Sequence, residues 1–146
     1  VVAVANELQP IIKQTQRLIR EQDKLLRTVA VTMQAVTSER IFNQGKDMNN
    51  AQIGSYSDSY IKQRVKKGLG SNRKVVVTFT GQLQNDWSVV QDGSVVGLGF
   101  KNSVNADKAK FVEETYNKII FEHTIQETKQ VNELYGKLVE RNFKRN

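Results

Sequence analysis

The side chains best suited to chemistry in this 146-residue chain are few and scattered. His123 is the single histidine; it follows Glu122 and precedes Thr124, which reads as a helix cap. A His–carboxylate pair can work as a general base, but it needs a nucleophile and an oxyanion site, and the sequence indicates neither. Glu113 and Glu114 are neighbours on an expected helix, so they point in different directions and read as solvated face residues. Asp47-Met48-Asn49-Asn50 places oxygen ligands as a calcium loop begins. The sixth position, however, is Gln52 instead of glycine, and no glutamate stands at the twelfth. Gly97-Leu98-Gly99 lacks the third glycine and following helix of a dinucleotide site. With no cysteine there is no thiolate zinc site, disulfide or cysteine nucleophile. No Walker loop, zinc spacing or serine triad is visible. The expectation is a non-enzymatic chain with no catalytic residues, no metal and no cofactor.

Charge is the stronger signal. The net charge is +7, and no acid occurs between Asp58 and Asp86. Lys62, Arg64, Lys66, Lys67, Arg73 and Lys74 all fall in that interval, just after Tyr56 and Tyr60. Such a patch attracts phosphates or an acidic protein face, with aromatic stacking as a further contact, although a solvated helix face gives the same pattern. A second basic cluster is Lys137, Arg141, Lys144 and Arg145. Apolar runs such as Val75–Val77 and Ile119–Phe121 fall far short of the roughly 20 residues of a membrane span, so no membrane partner is expected.

The elements that position these residues follow from periodicity. Leu8, Ile11, Ile12, Thr15, Leu18, Ile19, Leu26, Val29, Met33, Val36 and Arg40 recur at spacings of three and four, predicting one helix over 6–43. Asn6 is the expected cap, Pro10 would lie in the first turn, Gly45 is the expected stop, and Asp23 marks a weak point where a kink is allowed. A helix of that length spans nearly 60 Å, beyond the diameter of a domain this size, so part of it should project or pack on another subunit. The segment 45–74 reads as a basic loop with a short helix over 59–67 capped by Ser57 or Asp58. Val75–Thr80 reads as a strand, and Thr80 as the cap of a helical turn. Residues 87–91 and 95–100 form a hairpin about Asp92-Gly93, with Gly97 and Gly99 close to another backbone. Helices are predicted over 105–116, capped by Asn105 with Phe111 and Val112 inward, and over 124–143, capped by Thr124 with Phe143 in its stripe. The whole is a single α+β domain over 1–146: a long helix, a small antiparallel sheet of about three to four strands over 75–100, and two C-terminal helices.

In this order the features resemble a known family. Arg40-Ile41-Phe42-Asn43-Gln44-Gly45-Lys46-Asp47, then Ile53-Gly54-Ser55-Tyr56-Ser57, is similar to the opening of tailed-phage virion morphogenesis proteins, the head–tail connector and tail-completion proteins. Thr80-Gly81-Gln82-Leu83 with Trp87 and Ser88 resembles that family's Thr-Gly-x-Leu before its hairpin. Tyr116-Asn117-Lys118-Ile119-Ile120-Phe121, then Thr124, resembles its Tyr-Gly-x-x-x-Phe before a closing helix, with Asn117 where glycine is expected. The resemblance covers about residues 35–140. It implies a non-enzymatic virion protein, assembled in the bacterial host cytoplasm and added at the neck or tail end. Its partners would be further copies of itself in a homo-oligomeric ring and neighbouring connector or tail proteins, with non-specific DNA contact in addition. Stopper, completion and terminator roles stay open. The alternative is a small basic nucleic-acid-binding module using residues 62–74.

Overall fold

The computed structural model describes residues 2–78 and 80–145, with residues 2–7 and Phe143 described by their backbone alone. The architecture is mixed α+β and mostly helical: a long N-terminal helix, a two-stranded antiparallel hairpin and C-terminal helices.

Helix α1 runs over Val2–Ser38 without interruption at Asp23. It begins upstream of Asn6, because Ala3 and Ala5 are strong helix formers and extend the backbone. Pro10 therefore lies inside the helix, not in its first turn. The irregularity is at the other end, where Glu39–Asn43 forms a π-helical turn closed by Gln44 N–H donating to Glu39 O at 2.9 Å. The wider turn puts three consecutive residues inside, Arg40, Ile41 and Phe42, which an ordinary helix would divide between faces. Gly45 then ends the helix with φ of 65°.

The sheet is smaller than expected. β1 (Trp87–Asp92) pairs with β2 (Val95–Phe100) from Trp87↔Phe100 to Asp92↔Val95. The two-residue turn is Gly93-Ser94, one position later than Asp92-Gly93, with Gly93 at φ of 58° and Ser94 outside the positive-φ region, as in a II′ turn. Further strands are reduced to two isolated antiparallel bridges, Lys46↔Gln52 and Ser55↔Lys74. The β-branched run after Lys74 forms no strand among its described residues. Val75 is fully buried, and at Val77 a φ of 51° turns the chain out of the extended region. Phe79, part of the expected strand, lies outside the described residues. Apart from their pairing with β1, the glycines of β2 are not packed against another backbone among the described residues: a Cβ at Gly97 would meet nothing within 4 Å, and one at Gly99 only the Val90 side chain.

Helix α2 (Asp58–Lys66) is capped by Ser57, whose Oγ accepts from Tyr60 N–H at 3.3 Å. The short α3 (Gln82–Asp86) is capped at Gly81, with Thr80 Oγ1 accepting from Gln82 N–H at 3.4 Å. Helix α4 (Ser103–Tyr116) starts earlier than predicted, capped by Asn102. Asn105 sits in its first turn and donates its amide to Asp86 Oδ2 at 3.1 Å, and Asn102 N–H donates to the same oxygen at 3.0 Å. Those bonds, the Asn102 backbone N–H foremost, hold the Asp86 carboxyl below its ordinary pKa. Asn117 adopts the left-handed conformation and stops α4, a role for which asparagine substitutes for glycine. Helix α5 (Ile125–Arg145) closes the chain.

The core gathers where these elements meet. Trp87, Phe100 and Phe121 pack with ring centroids 5.2 to 5.7 Å apart, and Phe42 joins Phe121 at 6.4 Å. Trp87 Nε1–H donates to Thr37 Oγ1 at 2.8 Å and Gln34 donates to Trp87 O at 2.8 Å, fixing the hairpin to α1. At Gly45 a Cβ would stand 2.1 Å from Val75 O. Gly45→Ala should therefore destabilise by roughly 3 kcal/mol or more, since overpacking adds to left-handed strain. Gly68→Ala, also at positive φ but in open space, should cost only about 1–2 kcal/mol. Urea denaturation of the two variants checks the difference.

Candidate functional site

The polar residues that looked most chemical are engaged by the fold. Arg40 and Glu127 form a buried ion pair, Nε to Oε1 at 2.6 Å, with both side chains about 95% buried (6% and 5% exposed). Arg40 also donates to three backbone carbonyls: Lys46 at 3.0 Å, Ile120 at 3.0 Å and Glu122 at 2.7 Å. The other Glu127 oxygen accepts from Thr124 N–H at 2.8 Å, and Thr124 Oγ1 accepts from Glu127 N–H at 3.0 Å. Thr124 thus caps α5 as predicted, and Glu127 completes a capping box. His123 is partly exposed, 3.9 Å from a Glu127 oxygen already committed to Thr124. Glu113 receives Ile120 N–H at 2.7 Å and Phe121 N–H at 3.1 Å, which makes residues 119–121 an extended link. Asp47 is buried and accepts from Asn49 and Ala51 N–H, with Lys118 at 3.6 Å. No group of three potential metal-ligating side chains lies together among the described residues.

The basic segment does not form one surface. Lys62, Lys66 and Lys67 are exposed on or just after α2, and Lys74 is half-buried beside the bridge to Ser55. Arg73 is exposed and paired with Asp58 at 2.5 Å. Arg64 is buried: its guanidinium lies 4.7 Å from the Tyr56 ring centroid and donates to Leu69 O at 3.4 Å. Among the described residues its Nε and Nη1 have no hydrogen-bond acceptor, and the aromatic face of Tyr56 helps to offset their burial. Tyr56 is equally structural, accepting Val76 N–H on its hydroxyl and contacting Tyr60 at 4.9 Å.

Two exposed apolar features stand out among the described residues. One is an open cleft of about 560 Å³ between α2, the chain around Val75, and α4, with Tyr56, Tyr60, Leu83, Phe111 and Tyr116 on its walls. Phe111, predicted to face inward, is 68% exposed at its edge. Burial raises the pKa of Tyr116, with Tyr56 and Tyr60 adding to it; burial also raises that of Tyr60, with Arg64 opposing. The only cation on the wall, Lys108, is held by Gln82 Oε1 at 2.6 Å.

The other feature is the free half of α1. Helix α5 runs antiparallel to α1, from Glu127 at Arg40 to Tyr135, Val139 and Asn142 beside Leu18, Gln22 and Leu25. The hairpin lies along the same stretch, ending with Arg27 donating to Gln91 at 2.6 Å. The stripe is buried at Val29 and Met33, but Leu8, Ile11, Ile12, Leu18 and Ile19 are 44–59% exposed. The helix from its start to about residue 17 therefore projects roughly 22 Å past the packed region. No helix among the described residues is long and apolar enough to cross a membrane. No protein-family model matches this chain, and no curated protein or solved structure matches it either.

Periodicity alone marked Arg40 as one more stripe position; the signal for its partner was Thr124-x-x-Glu127. Glu127→Ala should destabilise by about 3–5 kcal/mol, leaving Arg40 buried without its counter-charge. Substituting Arg40→Met as well should recover little, because the carbonyls of Lys46, Ile120 and Glu122 then lose their donor. Chemical denaturation of the single and double variants measures both effects.

Proposed function

We propose that this chain is a non-enzymatic structural subunit of phage particle assembly, acting at the head–tail junction or tail end as one member of a ring. The observation that carries the reading is the projecting arm with its uncovered apolar stripe. Such a stripe is stable in water when another surface covers it. Its own cleft is out of reach, since Ile11 and Ile12 lie about 45 Å along a continuous helix from Arg40. The occupant is a second copy: stripe and cleft are two different apolar surfaces on one chain, and joining them head to tail generates a ring when the rotation closes.

The family resemblance supports the same reading through residues the fold uses. Gly45 closes against Val75, Gly54 packs against the Tyr116 ring, Trp87 anchors the hairpin, and Asn117 takes the left-handed turn. The quoted motifs thus fall at the tight points of the structure, leaving the cleft wall and the arm to determine what it joins.

Loss of the gene from its phage should leave filled heads and tails that accumulate unjoined or unfinished; normal infectious particles without the chain would overturn the proposal. Ile11→Glu on the stripe and Phe111→Glu at the cleft should each give monomers. Mixed together, the two variants keep one intact stripe and one intact cleft, so they should form a one-to-one dimer in analytical ultracentrifugation. Two-fold, stripe-to-stripe pairing predicts no such dimer.

A further inference from the structure

The face of α1 opposite its apolar stripe carries Lys13, Arg17, Arg20, Lys24 and Arg27, spaced by four, three, four and three residues. At 100° per residue they fall within about 80° of one another, in a straight row roughly 21 Å long. Between residues 13 and 27 every side chain in that sector is cationic, and all five are exposed. The nearest acids, Glu21 and Asp23, flank the row from either side. Arg17 pairs with Glu21 at 3.0 Å and Arg27 bonds Gln91, whereas Arg20 and Lys24 occupy the middle of the row. Because α5 and the hairpin cover the apolar side of the inner half, this row is the outward face of α1, beginning at Lys13 on the arm and running along the packed half to Arg27.

We propose that this row is a DNA-backbone contact surface, and that this outward face of α1, more than the 62–74 segment, is where the protein meets nucleic acid. Cations 4.5 to 6 Å apart along a rod match a repeating phosphate chain better than they match an acidic protein patch, whose charges have no fixed period. Three of the five are arginine, which can grip phosphate oxygens in pairs. The 62–74 segment contrasts with this, its Arg64 buried and its Arg73 paired with Asp58. A contact to the phosphate backbone carries no sequence information, so binding is independent of sequence and governed by counterion release. The inference does not depend on ring formation.

The test is fluorescence polarisation of the full chain with a labelled DNA duplex of mixed sequence. Between about 50 and 200 mM salt the affinity should fall roughly 100-fold or more, with a log–log slope near −4 for four or five neutralised phosphates. Arg20→Glu with Lys24→Glu should weaken binding at least tenfold and reduce the slope by about 2. Arg20→Gln with Lys24→Gln, which adds no repulsion, should show the same direction if the first variant fails to fold. Lys66→Glu with Lys67→Glu should leave affinity within about twofold of the parent. Absence of DNA binding at low salt, loss of binding only in the Lys66/Lys67 variant, or equal affinity for polyglutamate would each overturn the proposal; the last would make the row a site for an acidic protein.

Discussion

The buried pair of Arg40 and Glu127 is the interaction on which the rest of the molecule depends. It is a five-part junction: the guanidinium neutralises Glu127 and ties down the carbonyls of Lys46, Ile120 and Glu122. Glu127 in turn starts α5 through Thr124. The end of the long helix, the turn after it, the link to α5 and the first turn of α5 are therefore fixed by two side chains. A bare buried ion pair contributes little because desolvation offsets attraction. Here the added hydrogen bonds satisfy groups that any fold of this connectivity would have to bury, so the pair specifies geometry as well as charge balance.

From that junction the shape follows. With α5 leaving Arg40 antiparallel to α1 and ending at Arg145, the longer helix outruns the shorter. The hairpin, anchored by Trp87 to Thr37, covers the same inner half. The result is a packed head and a projecting arm with an exposed apolar stripe, while the outward face of α1 from Lys13 to Arg27 is cationic. Carboxylates hold the head together: Asp47, Asp86, Glu113 and Glu127 all receive backbone amides, and of these Asp47 and Glu113 are the two that the sequence offered for chemistry. Interaction then falls to the surfaces left over, which are the arm and the aromatic cleft.

Much of this was legible in the sequence, and the failures have physical causes. The long helix, hairpin and closing helices declare themselves through period and caps, and the excess of helix length over domain diameter anticipated the projecting arm. Val75–Val77 read as a strand because local β-propensity carries no knowledge of partners; the chain around it bonds through Tyr56 N–H to Arg73 O and Val75 N–H to Gly54 O, and then Val77 turns away. Asn105 was the expected cap of α4, but Asp86 binds both Asn102 N–H and the Asn105 amide from sixteen and nineteen residues away, and the cap falls on Asn102. Arg64 looked like part of a solvated basic face, but the Tyr56 ring that receives it is adjacent only in space. The α1 row shows the reverse case: its spacing is fully present in the sequence, but acids interleave with it there, whereas the interval after Asp58 is free of them.

The central claim is that the exposed arm exists to be covered by another copy of the chain in a closed, head-to-tail assembly. Native mass spectrometry of the purified full chain tests this most directly. The account expects one discrete higher stoichiometry, above a dimer, that collapses to monomer when the Leu8–Ile19 stripe is made polar. A strict monomer at tens of micromolar, or a dimer that persists when the cleft is altered at Phe111, would contradict it.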